Sequence, residues 1–382
     1  MPNPVPLSLY VHIPWCVRKC PYCDFNSHEK NAAFDENSYV DALLRDLEME
    51  YERCRRRDLG SIFFGGGTPS LFSASAIERV IAGARRLFAF DDIEITLEAN
   101  PGAFEQEKFT GFCQAGVNRL SIGVQSFNRE HLKTLGRIHD EQQARQAVDT
   151  ARAAGFDNIN LDLMFALPGQ DLAQALADIE TACGFKVPHI SFYQLTIEPN
   201  TVFHKHRPVL PDTDQSWEIQ TQCQQRLQEN GYHQYEISAY ARHDKHCQHN
   251  LNYWRFGDYI GIGAGAHGKL SQPDENGALT IQRRWKARQP KQYMQMALRG
   301  DALSGRQQLE SHDIVVEFLL NALRLKQGVS IDTFSSNTGL APSELEQAVR
   351  NIDKELLLID KDRIRTSERG YLFLNEILEQ LI

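Results

Sequence analysis

Leu9-Tyr-Val-His-Ile-Pro-Trp-Cys-Val-Arg-Lys-Cys-Pro-Tyr-Cys-Asp-Phe25 is the stretch that decides the fold. Leu9 to Ile13 are apolar, aromatic or β-branched apart from His12, the composition of a buried strand. Pro14 ends that strand because it has no amide hydrogen for the ladder. Cys16, Cys20 and Cys23 follow as Cys-x3-Cys-x2-Cys, with Pro21 stiffening the loop. Three thiols on one short loop suit a metal centre better than a core. They are one ligand short of a fully protein-ligated four-iron cluster, which leaves an iron open to an external chelator. A Cys3His zinc site completed by His12 or His28 is the alternative.

Working outward, strand-like runs at Ser61–Phe64, Ile93–Glu98, Arg119–Val124, Asn158–Phe165 and His189–Leu195 alternate with amphipathic helical periodicity. The first helix is expected near Ser38–Cys54 and ends in Arg53, Arg55, Arg56 and Arg57, read as a solvated basic end. The next, near Ala74–Phe88, carries a capping-box pattern at Ser75 and Glu78. Six strand-then-helix units predict an α/β fold: a partial (β/α)6 barrel with parallel strands and right-handed crossovers. Glycine and polar punctuation follows the strands, at the end where such barrels place their chemistry.

Past residue 200 the pattern loosens. A Gly-rich stretch, 257–268, holds Gly261, Gly263, Gly265 and His267. The expected division is a barrel domain over 1–270, a linker over 271–305 and a C-terminal winged-helix-like α+β domain over 306–382. Residues 311–382 hold 8 Lys and Arg against 12 Asp and Glu, a net of −4, so this domain lacks the basic balance of a DNA reader. The whole chain carries a net charge of −9, which argues against nucleic acid as a partner. No apolar run is long enough to cross a bilayer, and the N-terminal residues lack signal-peptide character. A cytoplasmic, thiol-preserving location is therefore expected. Cys54, Cys113, Cys183, Cys223 and Cys247 are scattered singly and read as buried or incidental thiols.

The cysteine array resembles the signature of the radical S-adenosylmethionine superfamily, whose cofactor has the adjacent amine and carboxylate that an open iron would chelate. Glu98, Gln125, Arg137 and Asp162 lie at or just beyond strand ends, where they are either structural or ligand-binding. Tyr10-Val-His-Ile-Pro-Trp-Cys16, Gly65-Gly-Gly-Thr-Pro69, Gly123-Val-Gln-Ser-Phe127, Asn160-Leu-Asp-Leu163 and Leu167-Pro-Gly-Gln170 resemble the oxygen-independent coproporphyrinogen oxidase group. That resemblance implies a [4Fe-4S] cluster on Cys16, Cys20 and Cys23. It implies S-adenosylmethionine contacts from Tyr10, Tyr22, Gly66, Gly67, Thr68, Glu98, Gln125, Arg137 and Asp162.

Prototype oxidases have a fourth cysteine two residues beyond the third, where this chain has Phe25. The HemW-type haem chaperones share that departure, and the resemblance to them runs from Ser8 through the C-terminal domain. His249-Asn-Leu-Asn-Tyr-Trp254 matches their His-Asn-x-x-Tyr-Trp motif, which implies haem contact by His249, Tyr253 and Trp254. A capped turn with two core aromatics is the structural alternative. Arg283, Arg284 and Arg288 either pair haem propionates or belong to a solvated linker. The resemblance implies haem as cargo and acceptor haemoproteins, membrane-bound respiratory enzymes among them, as partners. No catalytic residue is expected. The alternative function is an oxygen-independent coproporphyrinogen III oxidase, performing radical oxidative decarboxylation; a zinc-stabilised binding module is a third reading.

Overall fold

The structure is a computed structural model that describes residues 5–30, 34–54 and 57–381. Six parallel strands form its centre: β1 (Leu7–Ile13), β2 (Leu59–Gly66), β3 (Glu94–Ala99), β4 (Arg119–Gln125), β5 (Ile159–Phe165) and β6 (His189–Gln194), adjacent in that order. Their intervening helices include α1 (Glu36–Arg53), α2 (Ala74–Leu87), α3 (Glu141–Ala153) and α4 (Leu172–Gly184). Leu9, Val11, Ile62, Phe64, Leu97, Leu120 and Leu161 are fully buried, as strands covered on both faces must be. The α/β fold with a mostly parallel sheet is thus present, and its strands overlap the expected ones within a few residues.

The sheet does not stop at six strands. After α5 (Thr213–Glu229), β7 (His233–Glu236) and β8 (Ala239–Ala241) add to the β6 edge in antiparallel fashion. On the other edge, after α6 (Gln248–Trp254), β9 (Asp258–Ile262) pairs parallel to β1. The antiparallel strands β10 (His267–Pro273), β11 (Leu279–Lys286) and, after α7 (Pro290–Leu298), β12 (Leu303–Gln308) complete twelve strands. The 271–305 stretch is therefore sheet and helix, where a linker was expected. It looked like a linker because its charges are polar in composition, yet they are consumed internally. Lys286 Nζ lies 2.5 Å from Asp46 and 2.6 Å from Glu50, and Arg284 pairs with Glu50 at 3.3 Å, locking β11 to α1.

Other local readings change for similar reasons. Arg57 is not solvated: it pairs with buried Asp258 at 2.8 Å, which also takes Lys269 at 2.8 Å. Arg55 and Arg56 lie outside the described residues, as do the first four of the N-terminal segment. The cap of α2 is Ser73, whose hydroxyl accepts from Ala76 N–H, two residues before the expected Ser75.

The C-terminal part consists of α8 (Ser311–Ala322), α9 (Ile331–Thr338), α10 (Pro342–Val349) and a three-stranded sheet of β13 (Val329–Ser330), β14 (Leu357–Ile359) and β15 (Arg363–Thr366). The expected final helix is broken into Glu368–Leu372 and Leu374–Glu379. This unit is docked, not tethered. Its Phe318 meets Phe256 edge-on at 5.9 Å, and its core continues into Leu251 and Ile281 of the sheet domain. No helix among the described residues is long and apolar enough to cross a membrane.

Candidate functional site

The C-terminal ends of β2 to β6 and the cysteine loop enclose a cavity of about 440 Å3. Its wall brings together all three array cysteines and eight of the nine expected S-adenosylmethionine residues: Tyr22, Gly66, Gly67, Thr68, Glu98, Gln125, Arg137 and Asp162. Tyr10, the ninth, faces a neighbouring cavity of about 650 Å3. Phe25, Gly66 and Glu98 line both, so the two spaces share a wall.

Backbone geometry brings the chain close to the smaller cavity. Gly66 has φ of +116°, and a Cβ there would meet the His12 ring; at Gly67 it would lie 2.6 Å from Trp15 O. Only glycine allows the β2 terminus to pass this close to the cysteine loop. Gln125 also takes a positive φ, +69°, where the β4–β5 register shifts, and its Oε1 accepts from Tyr193 O–H at 2.7 Å. A non-glycine residue held there is strain of the kind that collects at ligand sites.

The electrostatics are those of a receptacle for a charged ligand. Arg137 is half-buried, donates to Asn100 Oδ1 (2.5 Å) and Gly123 O (2.6 Å), and reaches Cys20 Sγ at 3.7 Å. Asn100 in turn donates to Thr68 Oγ1 at 3.1 Å. Burial pushes the Cys16 thiol up to about 11 and raises Cys23, so neither ionises readily without a cation to bind. Glu98 accepts from Gly66 N–H at 3.1 Å, and burial, reinforced by Asp162, pushes it up to about 8. Asp162, also raised by burial, accepts from Ser121 and Asn160.

Three thiols in one wall beside a cation fit the protein share of an open four-iron cluster. The zinc alternative loses His12 as its fourth ligand. His12 donates Nε2–H to Asn26 O at 2.9 Å and its Nδ1 lies 3.0 Å from Tyr10 Oη, so neither nitrogen is free. Among the described residues no three His, Cys, Asp or Glu side chains close around a single ion.

Tyr253 and Trp254 line the larger cavity, as their expected role requires, but His249 does not. His249 is buried in the core, its Nδ1 2.8 Å from Ser61 Oγ and its Nε2 2.9 Å from Tyr253 Oη. With both nitrogens engaged it presents no lone pair to the cavity. It supports Tyr253, which does line that cavity, from behind. Residues not singled out as ligand contacts include Tyr193, Asn100 and Ser121 in the smaller cavity and Asn26, Tyr259, His267 and Lys269 in the larger. Arg283 and Arg288 also face the larger one, whereas Arg284 does not.

The comparisons with known proteins agree with this layout. Residues 10–182 match the radical SAM superfamily and 309–373 the HemN C-terminal domain. A protein of Haemophilus influenzae named "Heme chaperone HemW" is 48% identical over 385 residues, covering 99% of this chain and 98% of its own length. Its namesake in Escherichia coli is also 48% identical, over 98% of this chain and 97% of that one. The chain belongs to the HemW family of radical S-adenosylmethionine proteins. A solved coproporphyrinogen III oxidase, HemN of E. coli, described as a radical SAM enzyme, superposes with a TM-score of 0.82 over 99% of this chain and 90% of that one. At 24% identity that likeness shows the shared fold. HemW-family membership thus rests on full-length matches that include the docked C-terminal unit.

Proposed function

We propose that this HemW-family protein is a cytoplasmic haem chaperone that holds haem beside a [4Fe-4S] cluster with S-adenosylmethionine and passes the haem to acceptor haemoproteins, membrane-bound respiratory enzymes among them. The shared wall carries the reading: a three-thiol cavity and a larger aromatic cavity meet at Phe25, Gly66 and Glu98. Cys16, Cys20 and Cys23 would hold the cluster, and Arg137 would balance its thiolate charge. Bound there, the cluster supplies one-electron chemistry at S-adenosylmethionine. Glu98, Gln125 and Asp162 would orient that cofactor by accepting and donating hydrogen bonds, while Gly66 and Gly67 allow close backbone approach. Tyr253 and Trp254 offer apolar faces to a macrocycle.

The alternative, an oxygen-independent coproporphyrinogen III oxidase, is weakened by Phe25. That side chain remains 59% exposed at the junction of the cavities, where the oxidase pattern has a fourth cysteine. The test is anaerobically reconstituted protein given haemin, or coproporphyrinogen III with S-adenosylmethionine and a reductant. Stoichiometric haem retention, weakened by Trp254→Ala and without porphyrinogen turnover, is expected. Turnover lost on Cys20→Ala, without stable haem binding, would restore the oxidase.

A further inference from the structure

Asp162 lines the smaller cavity, but part of what holds its carboxylate lies behind the wall. Ser121 on β4, Asn160 on β5 and His189 on β6 are register partners across three adjacent strands, and all three are buried. Neither Asn160 nor His189 lines the cavity. The hydrogen bonds along this row run in one direction. At its outer end the backbone N–H of Cys247, just before α6, donates to Tyr235 Oη at 3.2 Å. The Tyr235 hydroxyl donates its own proton to His189 Nε2 at 2.9 Å, its other partner among the described residues. The ring proton of His189 therefore sits on Nδ1 and is donated to Asn160 Oδ1 at 2.6 Å, where Ser191 Oγ also donates at 3.1 Å. Asn160 Nδ2 spends its two protons on Asp162 Oδ1 at 2.8 Å and Ser121 Oγ at 2.7 Å. Ser121 passes its own proton to Asp162 Oδ2 at 3.0 Å. The opposite tautomer would set the Nδ1 lone pair against Asn160 Oδ1, and turning the amide to relieve that would aim Oδ1 at the Asp162 carboxylate. Either arrangement forfeits a buried hydrogen bond and adds a repulsive contact.

We infer that His189 is a positioning residue for S-adenosylmethionine: through Asn160 it holds the Asp162 carboxylate as an acceptor for the hydroxyl or ammonium donors of that ligand. This rests on the cofactor reading above and adds to it a residue from outside the cavity wall. Asn160 and Ser121 each occupy one lone-pair direction, on different oxygens of Asp162, so each oxygen keeps a direction for the ligand. His189 stays neutral in this role, because burial, with Arg119 and His246 nearby, holds its imidazole well below the ordinary value. No proton moves; the row only fixes which atoms donate.

The experiment is equilibrium dialysis of S-adenosylmethionine against anaerobically reconstituted full-length protein, with the His189 tautomer read separately by nitrogen NMR of ligand-free protein labelled at its histidine rings. The wild-type ring should be neutral and protonated on Nδ1. His189→Leu should weaken S-adenosylmethionine about tenfold, the worth of one well-placed buried hydrogen bond. His189→Asn should recover most of that loss, because its amide N–H takes the place of Nδ1–H toward Asn160. Leucine fills the space better than asparagine, so a merely structural role predicts the reverse order. Wild-type affinity in folded His189→Leu would overturn the assignment while leaving the cofactor reading intact, and so would a His189→Asn protein as weak as His189→Leu. A wild-type ring protonated on Nε2 would also overturn it, a measurement that stands even where His189→Leu fails to fold. A reconstituted wild-type protein that binds no S-adenosylmethionine would overturn both.

Discussion

His249→Gln separates a core histidine from a surface one through the pH dependence of stability. Burial, with Arg119 nearby, pushes the His249 imidazole down to about 3. An unfolded histidine titrates near 6.5, so below that pH the unfolded chain takes up a proton that the folded one refuses. The folded-state value is depressed, so the stability associated with His249 is intact above about pH 6.5 and is lost as pH falls toward 3. Between pH 7 and pH 5 the loss is about 2 kcal/mol, from a slope approaching 1.36 kcal/mol per pH unit. Glutamine cannot titrate. At pH 7 the variant should be less stable by about 1–3 kcal/mol, because Ser61 Oγ and Tyr253 Oη lose well-placed partners. At pH 5 that deficit should shrink by about 2 kcal/mol, since only the wild type has been weakened through this residue. His139, also pushed down to about 3, titrates in both proteins and cancels in the difference. Urea denaturation of metal-free protein at the two pH values, followed by circular dichroism, measures the deficit. A deficit equal at pH 7 and pH 5 would refute the buried, neutral imidazole.

Three further outcomes are expected. Glu98→Gln should stabilise ligand-free protein by about 1–3 kcal/mol near pH 7.5. The native carboxyl, raised to about 8, keeps its proton while the unfolded one has lost it, so its cost to stability vanishes below about pH 4.5. Thermal melts across pH 4–8 would show the gain growing with pH, and a pH-independent difference would contradict it. Lys286→Met should cost about 3–5 kcal/mol by leaving buried Asp46 without its cationic partner and Glu50 with only Arg284 and Arg53, read as a lower urea midpoint. Gly67→Ala should cost about 1–3 kcal/mol and weaken S-adenosylmethionine binding, because its Cβ would meet the Trp15 backbone; unchanged binding by equilibrium dialysis would count against the close approach.

What the sequence shows clearly is what depends on neighbours along the chain. Strand period, helix caps and the Cys-x3-Cys-x2-Cys loop are local, and they place β1 to β6 and the smaller cavity's wall within a few residues. What it hides depends on distant partners. Lys286 and Arg284 look like linker charges until Asp46 and Glu50, more than 230 residues earlier, neutralise them. The same blindness governs the histidines. His249 carries the recognisable motif, yet Ser61, 188 residues away, meets one of its nitrogens, and the motif's own Tyr253 meets the other. A motif reports that residues act together without reporting which of them faces the ligand. Tyr253 does face the cavity, and His249 holds it there. The partners of a buried histidine, which only the fold supplies, decide what its two nitrogens hold in place.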